Sequence, residues 1–145
     1  FNAYGPRQSL PVSHAPVIPR FLQQALTGGS VVIFGDGQQT RDFVYVDDVT
    51  AALVSAATAV NVNRQVINVG SGVETSLDNL VNEIETVTGH TVNRIYNGEK
   101  SGGVPRLVAD VSRAQTLLGF RPFTSLAAGL RRTLQEDERF SGLVE

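Results

Sequence analysis

Arg41 is the side chain of this 145-residue sequence best suited to hold an anion, because its planar guanidinium presents a fork of donors that matches a phosphate. It stands in the polar run Gly35-Asp36-Gly37-Gln38-Gln39-Thr40-Arg41-Asp42, whose glycines let backbone approach a ligand. The same run also reads as a turn between two strands, with Arg41 paired to Asp42 or a neighbouring acid, and residue types alone leave both readings open. Asn2 carries an amide that can donate to an anionic oxygen or merely satisfy turn backbone. Asp47 and Asp48 form a carboxylate pair, but their place at a predicted helix start favours capping over proton transfer. Gly70-Ser71-Gly72 resembles a phosphate cradle only superficially, since neither a Walker nor a dinucleotide fingerprint is present. His14 and His90 lie far apart without a ligand pattern and are read as solvated, so no metal is assigned. The lack of cysteine excludes a disulfide framework, a thiolate metal site and a cysteine nucleophile.

The elements that must position these residues follow from periodicity. Ile18, Phe21, Leu22, Ala25 and Leu26 share a helical face from Val17 onward, with Pro19 in the first turn and Gly28-Gly29 as the stop. Strands are predicted over Ser30 to Phe34, Phe43 to Val46, Gln65 to Val69 and Thr91 to Tyr96, and Phe1 to Pro6 reads as a strand end entering a turn. A second helix carries Val49, Ala52, Leu53 and Ala56, with Asp47 or Asp48 as its cap. The third starts at Thr75 or Ser76 and stops at Gly89, a short one runs from an Asp110 cap to Gly119, and Thr124 or Ser125 caps the last. Strands alternating with helices make this an α/β chain of one domain, residues 1–145. A net charge of −2 without any Lys/Arg run leaves no footprint for nucleic acid or an anionic membrane. No apolar stretch nears the roughly 18 residues of a membrane span, and a soluble protein of the cytoplasm is expected. No start methionine precedes Phe1, which reads as the mark of a fragment.

Several ordered strings then resemble a known family. These are Phe1 to Gln8, Val31 to Gly37, Gln39 to Val49, Asn68 to Gly72, Ala109 to Ser112 and Leu118 to Pro122. Together they resemble the C-terminal part of extended short-chain dehydrogenases/reductases, the NAD-dependent epimerase/dehydratase family that includes UDP-glucose 4-epimerase. The resemblance implies the substrate-binding portion of an extended Rossmann-type enzyme, with helices packed on short, mostly parallel strands. It implies further that residues near 1–6 and 65–87 belong to the sheet layer of the parent's dinucleotide-binding part. By the same resemblance Asn2 and Arg41 meet the diphosphate of a nucleoside-diphosphate sugar, while Phe34 and the backbone of Val32 lie against its base. Where the family carries Arg-x-Gly-Asp/Glu, this sequence has Lys100-Ser101-Gly102-Gly103. Lys100 can neutralise phosphate as a point charge, whereas Gly103 cannot accept from a ribose hydroxyl. Arg106 is either a replacement cation or half of a surface ion pair.

The family's NAD is implied for the intact parent only, since this chain has neither the glycine-rich dinucleotide turn nor a helical Tyr-x-x-x-Lys pair. Tyr96-Asn97-Gly98-Glu99-Lys100 matches that spacing formally, but Asn-Gly marks it as a loop. The expected role is therefore recognition of a nucleotide-sugar for an epimerase or dehydratase. The rival is a free-standing, non-catalytic sugar-nucleotide binding or assembly module. Strands stripped of neighbours predict a homo-oligomer that pairs through Val66, Ile67 and Val69.

Overall fold

The β-branched run Ser30–Phe34 forms strand β2 in the computed structural model, which describes residues 1–11, 15–60, 62–99 and 103–143. Its two-residue period sends Val31 and Ile33 into the core and Val32 and Phe34 to the opposite side. Before it come β1 (Asn2–Tyr4) and helix α1 (Val17–Leu26); after it come β3 (Thr40–Arg41), β4 (Phe43–Tyr45) and α2 (Val46–Thr58). The chain continues through β5 (Thr75–Ser76), α3 (Leu77–Thr88), β6 (Asn93–Asn97), β7 (Arg106–Leu107), α4 (Ser112–Leu118), α5 (Leu126–Glu136) and α6 (Glu138–Ser141). Three small sheets result among the described residues: β1–β4, β2–β6 and β5–β3–β7. Only the β3–β5 pairing is antiparallel, so the architecture is α/β with short, mostly parallel strands.

The main core joins the inner faces of α1, α3 and α5 to β2 and β4. Phe21 and Leu22 of α1 meet Leu80, Val81 and Ile84 of α3, with Leu130 and Leu134 of α5 completing the layer. Helix α3 begins where Ser76 accepts the Asn79 amide at 3.1 Å and ends where Gly89 adopts a left-handed conformation, as its sequence signals predict. Ser125 caps α5 in the same way, taking the Ala128 amide at 3.3 Å. A smaller cluster of Ala52, Ala114 and Phe120 lies between α2 and α4, with Ile67 and Val69 packed on it.

Three expectations need correction. Gln65–Val69 is not a ladder strand: among the described residues its main-chain hydrogen bonds are the Gln65 amide to the Val62 carbonyl and the Phe1 amino group to the Val69 carbonyl, both 3.1 Å, and the Arg113 guanidinium to the Val66 carbonyl at 3.0 Å. Alternation in sequence does not supply a partner strand, and the segment keeps only its packing through Ile67 and Val69. Helix α2 starts at Val46, two residues earlier than a cap at Asp47 would allow and three earlier than one at Asp48, and has no side-chain cap. Asp48 instead is fully buried and accepts the Phe123 and Thr124 amides at 3.0 and 3.2 Å, while Asp47 pairs with Arg132 at 2.8 Å. Asp110 takes the Ser112 amide at 2.9 Å, but the residue bounding α4 is Val111.

Candidate functional site

Strand β3 sets Arg41 between β5 and β7, opposite Thr75 on one side and Leu107 on the other. One guanidinium nitrogen donates to the carbonyls of Thr40 and Val104, both at 2.7 Å, which orients the rest of the fork. The next residue, Asp42, is wholly buried and turns its carboxylate into a nest of donors: the Ser71 amide and hydroxyl at 2.7 Å, the Gly72 amide at 2.9 Å and the Ala109 amide at 3.1 Å. Gly70-Ser71-Gly72 therefore does cradle an anion, and that anion belongs to the protein. A Cβ on Gly70 would lie 2.6 Å from the Asp42 carboxylate, so the turn requires glycine there. The Asp42 carbonyl in turn receives both the backbone amide of Asn2 at 3.1 Å and its side-chain amide at 3.2 Å. One carboxylate thus fixes the stretch of backbone on which Arg41 and Asn2 are mounted.

The second glycine turn is also occupied from within. A Cβ on Gly37 would come 2.5 Å from the carboxylate of Asp78, at the start of α3, and the Gln38 side chain donates to that same carboxylate at 2.8 Å. Gln39 donates to the Phe34 carbonyl at 2.6 Å, which closes the loop behind Phe34. Of the two readings of this run, the glycines fit a turn packed on the protein, while Arg41 belongs to a cleft.

That cleft has a volume of about 330 Å³, at the small end of ligand-sized cavities. Asn2, Val32, Phe34 and Arg41, four of the five residues proposed from the sequence, line it together. The fifth, Lys100, lies outside the described residues. Phe21, Phe43 and Leu77 supply further apolar wall, and Gln39 and Arg20 further polar groups. Sequence reasoning missed Arg20, because an exposed arginine on an amphipathic helix carries no signal until α1 is laid beside β2. No carboxylate lines the cleft among the described residues. Arg106 stays outside it, paired with Glu74 at 2.9 Å; hydrogen bonds from Thr40 and then Arg106 hold the Glu74 carboxyl below its ordinary range.

The tyrosines offer no activated hydroxyl. Tyr96 lies on β6, not on a helix, and donates to Asp78 at 2.8 Å, a bond that raises its pKa. Tyr4 is pushed up chiefly by burial, then by Tyr45 and Asp48, and its hydroxyl donates to the Leu126 carbonyl at 3.2 Å. Among the described residues no three metal-ligating side chains gather, and no helix is long and apolar enough to cross a membrane.

Residues 1–70, which contain both Asn2 and Arg41, match the NAD dependent epimerase/dehydratase family. The chain is similar to that family over just under half of its length. It is 39% identical over 133 residues to a putative UDP-glucose 4-epimerase of Methanocaldococcus jannaschii, covering 92% of this chain and 42% of that protein. It superposes on the UDP-glucose 4-epimerase of Thermotoga maritima, solved with UDP-glucose, with a TM-score of 0.83 and 37% identity over 91% of this chain and 42% of the other. The UDP-glucuronic acid 4-epimerase of Bacillus cereus, solved with UDP-glucuronic acid and NAD, gives a TM-score of 0.82 and 34% identity over 92% and 41%. This chain spans about two fifths of the length of these relatives.

The family cofactor, NAD, does not fit the glycine turns described here. A dinucleotide pyrophosphate needs free amides at a glycine turn that opens a helix. The amides of Ser71 and Gly72 are taken by Asp42, and Gly37 is packed against Asp78.

Proposed function

We propose that this chain is the substrate-binding part of an NAD-dependent nucleotide-sugar epimerase or dehydratase of the cytoplasm, and that its cleft receives the diphosphate and base of a nucleoside-diphosphate sugar. The gathering of Asn2, Val32, Phe34 and Arg41 around one cavity, with no carboxylate among its described lining residues, carries this reading. Arg41 takes the diphosphate with its guanidinium, and Asn2 adds its side-chain amide. Phe34, 36% exposed at the end of β2, offers a ring face to the base beside the Val32 backbone. Lys100 adds a point charge to the phosphates. NAD, and the residues that move hydride and proton, belong to the intact parent by family likeness. The contact between Phe1 and Val69 supports placing residues near 1–6 and 65–87 together in the parent's dinucleotide-binding layer. The chain alone associates with itself through Val66, Ile67 and Val69, whose amides find no main-chain acceptor among the described residues.

A thermal-shift screen of UDP-, dTDP- and GDP-sugars tests the reading, since a ligand that binds only the folded state raises the melting temperature. NAD alone should give no shift. Arg41→Ala should weaken the selected sugar nucleotide by about 1.5–3 kcal/mol in calorimetric titration, with little change in melting temperature. Unchanged affinity would make Arg41 structural.

A further inference from the structure

Among the described residues, Arg20 is the one cleft cation that the reading above does not use. It sits in the first half of α1, one residue before Phe21, which is buried at 3% exposure. The core face of α1 is formed by Ile18, Phe21, Leu22 and Ala25, so Arg20 contributes nothing to it. Its backbone amide donates to the Pro16 carbonyl at 3.3 Å. Its guanidinium has no hydrogen-bond or ion-pair partner among the described residues. The other cation described at this cleft, Arg41, comes from β3 and is held in place by carbonyls.

Two arginines therefore line one cavity from different elements, with no carboxylate among its described lining residues, in a chain whose net charge is −2. A cleft so much more positive than its protein selects for a ligand with more than one negative centre. A single phosphate would satisfy Arg41 and leave Arg20 in water, at no gain. We propose that Arg20 is a specificity-determining residue that reads the second phosphoryl group, so that the cleft prefers a nucleoside diphosphate to the corresponding monophosphate. The assignment rests on the nucleotide reading of the cleft. Arg41 carries affinity for the phosphate it holds in either ligand, and Arg20 adds affinity only when a second phosphate is present. An exposed side chain with no internal partner can be replaced without loss of packing or of a buried hydrogen bond, so folding is unaffected.

The experiment titrates the chain calorimetrically with the diphosphate and monophosphate pairs of uridine, thymidine and guanosine. For the pair that binds, the native chain should prefer the diphosphate. In Arg20→Ala that preference should fall by about tenfold, the low end for a charge-assisted hydrogen bond, with monophosphate affinity essentially unchanged. Arg20→Lys should retain part of the preference. Equal weakening of both ligands would mean that Arg20 acts as a general field, and no change in either would mean that it faces solvent only; both overturn the assignment while the cleft's role stands. Failure of the native chain to bind any of the six would sink the nucleotide reading and this assignment together.

Discussion

Asp42 shows how much one buried carboxylate can organise. It accepts four hydrogen bonds from Ser71, Gly72 and Ala109, and its own carbonyl holds Asn2. Asp42→Asn keeps the shape but replaces one acceptor oxygen with a donor, which then confronts backbone amides that have no other partner. A loss of about 2–3 kcal/mol is expected from leaving such groups unpaired. Urea denaturation reads it directly, and an unshifted midpoint would show that the nest rearranges without cost. Nothing at the level of residue types separates this aspartate from Asp36 or Asp47. Its role is set by donors 29 to 67 positions away along the chain, whereas motif likeness could single out Arg41 and Asn2 without any knowledge of their neighbours.

Elements divide along the same line. The helices α1, α3 and α5 were legible because an apolar face and a capping serine or terminal glycine are local signals, fully present within a dozen residues. The two-residue strands β3, β5 and β7 and the short α6 have no such signature, since each exists through partners remote in sequence. Gln65 to Val69 failed in the opposite direction: the strand-like pattern is real, but the pairing is missing. Val66 stands 79% exposed there, and Ile67 and Val69 lean on the small cluster between α2 and α4. Such a segment is expected to pair with its copy in a second molecule. Light scattering over a wide concentration range should show a dimer or higher species, lost in Val66→Asp. A monodisperse monomer throughout, with slow amide exchange at Ile67 and Val69, would refute the edge.

Over the whole molecule, the ends are tied by Asp137. Its buried carboxylate accepts the Arg7 amide at 2.6 Å from 130 positions away and pairs with Arg139 at the same distance. The Arg139 guanidinium, followed by the Arg7 amide, lowers its pKa from 3.8 to about 2. A carboxyl depressed on folding stabilises the native state above its unfolded value and ceases to do so as pH falls through its folded one. About 2 kcal/mol should therefore be present above roughly pH 5 and drain away toward pH 2. Asp137→Asn should flatten the acid limb of a stability–pH profile, and a parallel limb in both proteins would count against the tie. The Asp42 nest has a consequence in time as well. Closing a loop of 67 residues instead of 29 adds only about 0.7 kcal/mol, so equilibrium barely registers the span. Order of assembly does register it: helices form within about a microsecond, while the nest waits until Gly70–Gly72 and Ala109 have both arrived. The wall bearing Arg41 and Asn2 should then mature last. In stopped-flow refolding, capture of a fluorescent nucleotide should lag behind the recovery of helical circular dichroism, and the cleft would be the slowest clock in the chain.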